Sequence, residues 1–261
     1  MKRMASGALS YNVRYKPSAS SVWTTLSSAT NSLNLSGLSN STSYEFQVAS
    51  VCSGGAVSAF STSVTFTTSP AAFPITLVTV GTSNSTVSDA PYGTAYVKEH
   101  AQFIITKNEL IAAGYNASNN VINALSFFVN ASSAKSLTAF TVKIAHTSAS
   151  SFTNANFLNT SAVPTVYSTN YLPLSSSWNK HAFATPFAYN GNDNLLVDIT
   201  WSNSTAATSS TVKGTTGASN QALYYGTMNK KTNIGKVSSG TLSLTRPNML
   251  LEFASPLARK T

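Results

Sequence analysis

The chain has 261 residues and a mass of 27.4 kDa, room for one large domain or two ordinary ones. Charged residues supply only 9% of it, far below the share usual in soluble proteins, while Ser, Thr and Asn together fill 100 positions. This excludes a coiled coil or a charge-rich disordered chain and weighs against a cytosolic housekeeping enzyme. The net charge of +9 reflects scarce acids, 7 against 16 Lys and Arg. The basic residues are scattered, and the densest group, Lys230, Lys231 and Lys236, is no basic block. The reading is a diffuse positive field able to attract acidic polysaccharide or an anionic surface, with no specific nucleic-acid groove.

The opening Met1-Lys2-Arg3-Met4 is basic, but the residues after it form no apolar signal core, and no run approaches the length of a membrane span. The pattern then alternates with period two. Strands are expected at Leu9–Lys16, Val22–Leu26, Leu33–Leu38, Tyr44–Val51 and Val64–Phe66, separated by Gly, Ser, Asn and Pro turns. Cys52, the single cysteine, follows an alternating run and reads as a small buried hydrophobe.

The order Tyr11-x-Val13-x-Tyr15, a lone Trp23, Gly37-Leu38, Tyr44-x-Phe46-x-Val48 and Val64-Thr-Phe66 resembles the second half of a fibronectin type III domain. The resemblance implies a tyrosine corner around Leu38 and Tyr44, in which the phenol bonds back to upstream backbone. It also implies two strands for which there is no room before Leu9. The apolar face of Tyr11, Val13, Tyr15, Phe46 and Val48 would then lack its second sheet. Either the chain is a fragment of a longer protein, or a neighbouring copy or upstream domain supplies the missing strands.

Residues 70–74, with Pro70 and Pro74, read as a linker between a first module at 1–69 and a second at 75–254; a basic tail follows at 255–261. In the second module strands are expected at 75–80, 101–106, 121–130, 137–147, 165–172, 180–187, 195–201, 222–227 and 249–253. Lys107–Gly114 breaks the period and predicts a short helix stopped by a left-handed glycine. The fold class is therefore all-β: a truncated fibronectin type III-like sandwich followed by a larger jelly-roll-like antiparallel β-sandwich with one short helix.

The second block also resembles a domain of secreted and cell-surface proteins of Bacteroidota, in a type IX secretion context. The residues that carry this are Lys143–Thr147, Trp178-Asn179, Thr185–Val197 and Arg246-Pro247-Asn248. That resemblance implies secretion and brings no catalytic residues.

No Gly-x-Ser-x-Gly elbow is present, and His100, His146 and His181 lack metal-ligand spacing, so they read as structural or partly exposed. Few carboxylate pairs suit glycoside hydrolysis. Asp198, alternating with Val197 and Ile199, is expected to face solvent. The Asn190–Asn194 loop crowds the oxygens of Asn190, Asn192 and Asp193. Calcium would use such ligands, but Asn-Gly between strands reads first as a hairpin turn. No other cofactor is indicated. Carbohydrate contact needs open aromatic rings beside amides, and Tyr92, Tyr96, Trp201, Tyr224 and Tyr225 are the candidates. Tyr224 and Tyr225, being adjacent, must face opposite sides of their strand.

The sequence thus predicts a non-catalytic extracellular or cell-surface module acting in adhesion or in contact with polysaccharide or cell-surface glycan. Two alternatives remain: a structural subunit of a filament or phage fibre completed by strand donation, and an accessory module of a secreted hydrolase.

Overall fold

The computed structural model describes residues 8–69 and 75–255. The expected linker at 70–74, the basic opening and the tail beyond Ser255 lie outside the described residues. The chain divides into two units, Met1–Ala72 and Phe73–Thr261.

In the first unit, β1 (Ala8–Pro17), β2 (Thr24–Ser28), β3 (Ser43–Cys52) and β4 (Val64–Thr67) form one antiparallel sheet in the order β2-β1-β3-β4. Val13 stands opposite Val48 and Tyr15 opposite Phe46, so the alternation gathers apolar side chains on one face. The other face is held by charge: Arg14 donates to Gln47 at 2.7 Å, and its guanidinium lies 4.6 Å from the Trp23 ring and 4.0 Å from Phe60. Lys16 pairs with Glu45. The Tyr44 hydroxyl accepts the Ser39 N–H at 3.0 Å, forming the expected tyrosine corner.

Two expectations fail in this unit. Leu33–Leu38 is not a strand: its leucines are half-buried, but no neighbouring strand takes up its backbone. Cys52 is exposed, because it falls at the end of β3 where the hairpin begins.

The second unit contains β5 (Ile75–Val80), β6 (Ser85–Val87), β7 (Lys98–Ile105), α1 (Lys107–Ala112), β8 (Val121–Ala131) and β9 (Leu137–Thr147). They are followed by β10 (Thr165–Tyr171), β11 (Ser177–Ala188), β12 (Asn194–Ser202) and β13 (Thr211–Thr216). Last come β14 (Ala222–Thr227), β15 (Thr241–Ser243), β16 (Thr245–Pro247) and β17 (Met249–Ala254). One sheet runs β10-β9-β12-β7-β14-β15; the other runs β16-β13-β8-β17-β5, with β11 paired to β8 and β6 to β13. Phe103, Ile105, Val197 and Ile199 from the first sheet and Leu125, Phe127, Leu251 and Phe253 from the second share one core, as a sandwich requires.

The short helix follows the sequence signals. Thr106 and Glu109 exchange side-chain and backbone bonds in a capping box. Gly114, at φ +97°, ends the helix. Its N–H bonds Ile111 O while the Tyr115 N–H bonds Leu110 O, a Schellman closure.

β7 and β12 are buried on both faces because residues 148–163 cover the outer side of their sheet. Phe152, Phe157 and Leu158 pack there against Ile104, Leu196 and Leu223. This corrects Asp198, expected to face solvent. It is buried, and its Oδ2 accepts from Gln102 at 2.6 Å and Thr160 at 2.7 Å and lies 3.1 Å from His100 Nε2. Burial pushes the Asp198 carboxyl up, but the bonds from His100, Gln102 and Thr160 outweigh it and hold it below the usual range. No described helix is long and apolar enough to cross a membrane.

Candidate functional site

Of the five aromatic candidates, two are lost to the core. Tyr92 is 1% exposed, packed among Phe127, Phe140 and Tyr171, with its hydroxyl 2.8 Å from His181 Nε2. Trp201 is 1% exposed, and its indole N–H donates to Pro91 O at 3.1 Å. Neither ring can stack on a sugar, because both faces are covered by protein. Tyr96, Tyr224 and Tyr225 are half-buried. The Tyr96 ring lies against Gly226, where a Cβ would stand 2.1 Å from it, and both Tyr96 and Tyr224 pack on the main core. Tyr96 and Tyr224 therefore gather at one end of the core and form no open platform.

The Asn190–Asn194 loop is a hydrogen-bonded turn with Gly191 at φ +72°. Asn190 Oδ1 accepts from the N–H groups of Asn192 and Asp193 at 2.9 and 3.0 Å, and Asn190 Nδ2 donates to Asp193 Oδ2 at 2.7 Å. Lys107 Nζ donates to Asn192 Oδ1 at 3.3 Å. Asn190 Oδ1 and Asp193 Oδ2 are engaged within the turn and Asn192 Oδ1 by Lys107, and the described residues contain no group of three or more His, Cys, Asp or Glu able to hold a metal. His146 accepts the Asn190 N–H at 3.0 Å, and burial pulls its imidazole below the ordinary range.

The residues that do present an aromatic face were missed as a site. From Trp178 to Phe183 β11 alternates: Asn179, His181 and Phe183 point inward, while Trp178 and Lys180 point out. Trp178 is 37% exposed and directly opposite Phe128 of β8, with ring centroids 5.6 Å apart at 88°. Lys213 of β13 places its ammonium 4.3 Å from the Phe128 centroid. Lys180, two residues along the same face, is bonded to Glu252 of β17 at 2.6 Å.

Asn179 fixes where this platform starts. Its Oδ1 accepts from the Leu174 N–H and the Tyr171 hydroxyl at 2.8 and 2.9 Å, and its Nδ2 donates to Leu174 O and Ser177 O, each at 2.9 Å. The amide is buried and saturated, so the turn before β11 is held and the neighbouring indole is carried on a rigid strand. The strand's alternation was the available signal, since Trp178 shares its parity with Lys180.

No curated protein sequence matches the chain. Two solved structures of infectious bursal disease virus, of the Gx and Gt strains, align at 12% and 11% identity, each with a TM-score of 0.22. Both alignments cover 99% of this chain, which spans 59% and 65% of the viral chains. At that score neither supports an argument. Residues 4–67 match the family model described as the fibronectin type III domain, the region that holds the Tyr44 corner.

Proposed function

We propose that the protein is a non-catalytic extracellular module that contacts carbohydrate through the outer face of its larger unit. Trp178 and Phe128 are the stacking surface, and Lys213 biases it toward acidic glycans. The observation that carries this is the exposed Trp178 ring set on Phe128, whose ring carries the Lys213 ammonium. An open indole offers apolar area to a sugar ring's C–H face at little entropic cost, and the Lys213 ammonium answers carboxylate or sulfate. The fibronectin type III match, a module type common outside cells, and the neutral hydroxyl- and amide-rich composition support an extracellular setting. The resemblance to surface domains of Bacteroidota points the same way. The test is retention of the whole chain on immobilised polysaccharides, compared with Trp178→Ala.

A second reading, a structural subunit completed by donated strands, is favoured by one observation. Among the described hydrophobic residues of the first unit only Tyr44 and Ala49 are buried, while Leu26 and Val64 are 38% and 51% exposed. A single sheet with an open apolar face invites another strand or sheet. Concentration-dependent self-association in analytical ultracentrifugation would support this reading; a monomer at all concentrations would remove the neighbouring copy as donor.

A further inference from the structure

In the first unit one guanidinium is fixed by four segments of the chain. Arg14 of β1 is half-buried and stands opposite Gln47 of β3 and Thr25 of β2. Its Nε–H donates to Gln47 Oε1 at 2.7 Å, and its Cζ lies 4.0 Å from the Phe60 ring centroid and 4.6 Å from that of Trp23. Both rings are themselves held. Ser58 and Ser61, on either side of Phe60, donate their N–H groups to Ser50 O and Val48 O of β3 at 2.9 Å each. Trp23 enters β2 from a turn closed by the Ser20 N–H on Pro17 O at 2.8 Å, and Lys16 Nζ donates to Ser20 O at 2.6 Å.

What this guanidinium lacks is an anion. Residues 1–72 contain a single acid, Glu45, and Glu45 is paired with Lys16. Among the described residues Arg14 makes no ion pair, and its Nη1 and Nη2 neither bond a neighbour nor are shut away from water. With Nε committed to Gln47, the open edge is the terminal one, two N–H groups side by side in one plane. Ordering a long arginine side chain normally costs much of what a bound anion returns. Here Gln47 and the two rings have already imposed that order. A carboxylate offers two coplanar oxygens to such a fork and asks for nothing more. A sulfate or phosphate brings further oxygens, and beside the fork stand only aromatic rings and a lysine already taken by Glu45.

We propose that Arg14 is a preformed binding site for one carboxylate group brought by a second molecule, with Gln47, Trp23 and Phe60 holding the guanidinium ready. The carboxylate lies in the guanidinium plane and accepts one N–H from each Nη. The site belongs to the first unit, so it is separate from the Trp178 surface and does not rest on the carbohydrate reading.

The test follows the N–H signals of the isotope-labelled whole chain by nuclear magnetic resonance as sodium acetate is added at constant ionic strength, with sodium sulfate in a parallel titration. The expected result is a saturable shift of the Arg14 Nε–H and of the Gln47 and Thr25 amides, at lower concentration for acetate than for sulfate. The signals of Arg246, whose guanidinium is buried and already bonded to Glu109, should stay fixed. Arg14→Lys keeps the charge and removes the fork, and the Gln47 and Thr25 amides should then lose their saturable shift. Phe60→Leu keeps Arg14 without one of its rings and should weaken acetate binding about tenfold. Trp178→Ala should leave the response unchanged. Should Phe60→Leu fail to fold, Arg14→Lys decides. The proposal is overturned if Arg14 takes acetate no more tightly than free arginine does, or if sulfate binds as tightly as acetate. It is equally overturned if the response survives Arg14→Lys, if a folded Phe60→Leu binds as the wild type, or if Trp178→Ala abolishes the response.

Discussion

Arg246 and Glu109 join the last strands to the short helix. The Arg246 side chain is 4% exposed, and its Nη2 lies 2.7 Å from Glu109 Oε1, while Nη1 bonds Ile104 O as well as Glu109 Oε2. Burial raises the Glu109 carboxyl, but the Arg246 bonds and charge and the Thr106 cap outweigh it and hold it below the ordinary range. One carboxylate therefore serves as helix cap and as counter-ion for a buried guanidinium.

Glu109→Ala removes both services at once and leaves Arg246 buried without its anion. Because Glu109 is 31% exposed at its side chain, water can partly compensate. The expected loss is at the low end for a broken buried pair, about 3 kcal/mol in urea unfolding. Glu109→Gln keeps hydrogen-bonding capacity and should cost less. A loss below about 1 kcal/mol for the alanine variant would mean that Arg246 is satisfied elsewhere.

His181 makes stability depend on pH. It is enclosed by Tyr92, Phe140, Tyr167 and Tyr171, and burial pulls its imidazole from 6.5 down to about 3. Between those values the unfolded chain binds a proton that the folded chain refuses, so stability falls as pH drops below 6.5. The slope from this one group reaches about 1.4 kcal/mol per pH unit. His181→Gln keeps an acceptor for the Tyr92 hydroxyl and removes the titration. It should flatten the stability profile between about pH 6 and pH 5, above the range where Glu109 and Asp198 protonate. His146, also depressed, leaves a residual slope of the same sign, and Glu99, which burial pushes well above the ordinary carboxyl range, contributes one of the opposite sign. An unchanged profile would contradict the assignment.

Two glycines separate conformational strain from crowding. At Gly114, φ +97°, an added Cβ meets nothing within 4 Å, so Gly114→Ala should cost only the left-handed penalty, about 1 kcal/mol. At Gly226 the new Cβ would stand 2.1 Å from the Tyr96 ring. Gly226→Ala should cost more, about 2–3 kcal/mol. If it proved neutral, Tyr96 could swing outward and would return as a candidate stacking ring.

The sequence carried the strand periodicity, the helix stop at Gly114 and the Tyr44 corner because each is local. It did not carry β6, β13 and β15, which are rich in Ser and Thr, or β16, a three-residue Thr-Arg-Pro, so their apolar alternation is weak. Leu33–Leu38 alternates as a strand should, yet pairing depends on a partner that alternation cannot report. Asp198 was misplaced for a non-local reason: residues 148–163 return to cover the outer face of its sheet. The aromatic site was half legible. Trp201 shares its parity with the core residues Val197 and Ile199, whereas Trp178 shares its parity with Lys180.

Binding of the whole chain to a sulfated polysaccharide, a polyuronate and a neutral glucan, with Trp178→Ala in parallel, tests the central claim most directly. The account predicts retention on the two acidic polymers that weakens with salt and is lost in Trp178→Ala. The substitution's cost in stability should stay well below the ~3–5 kcal/mol of a core tryptophan, because the indole is partly open to water. Wild-type retention that survives Trp178→Ala, or no retention on any of the three polymers, would contradict it.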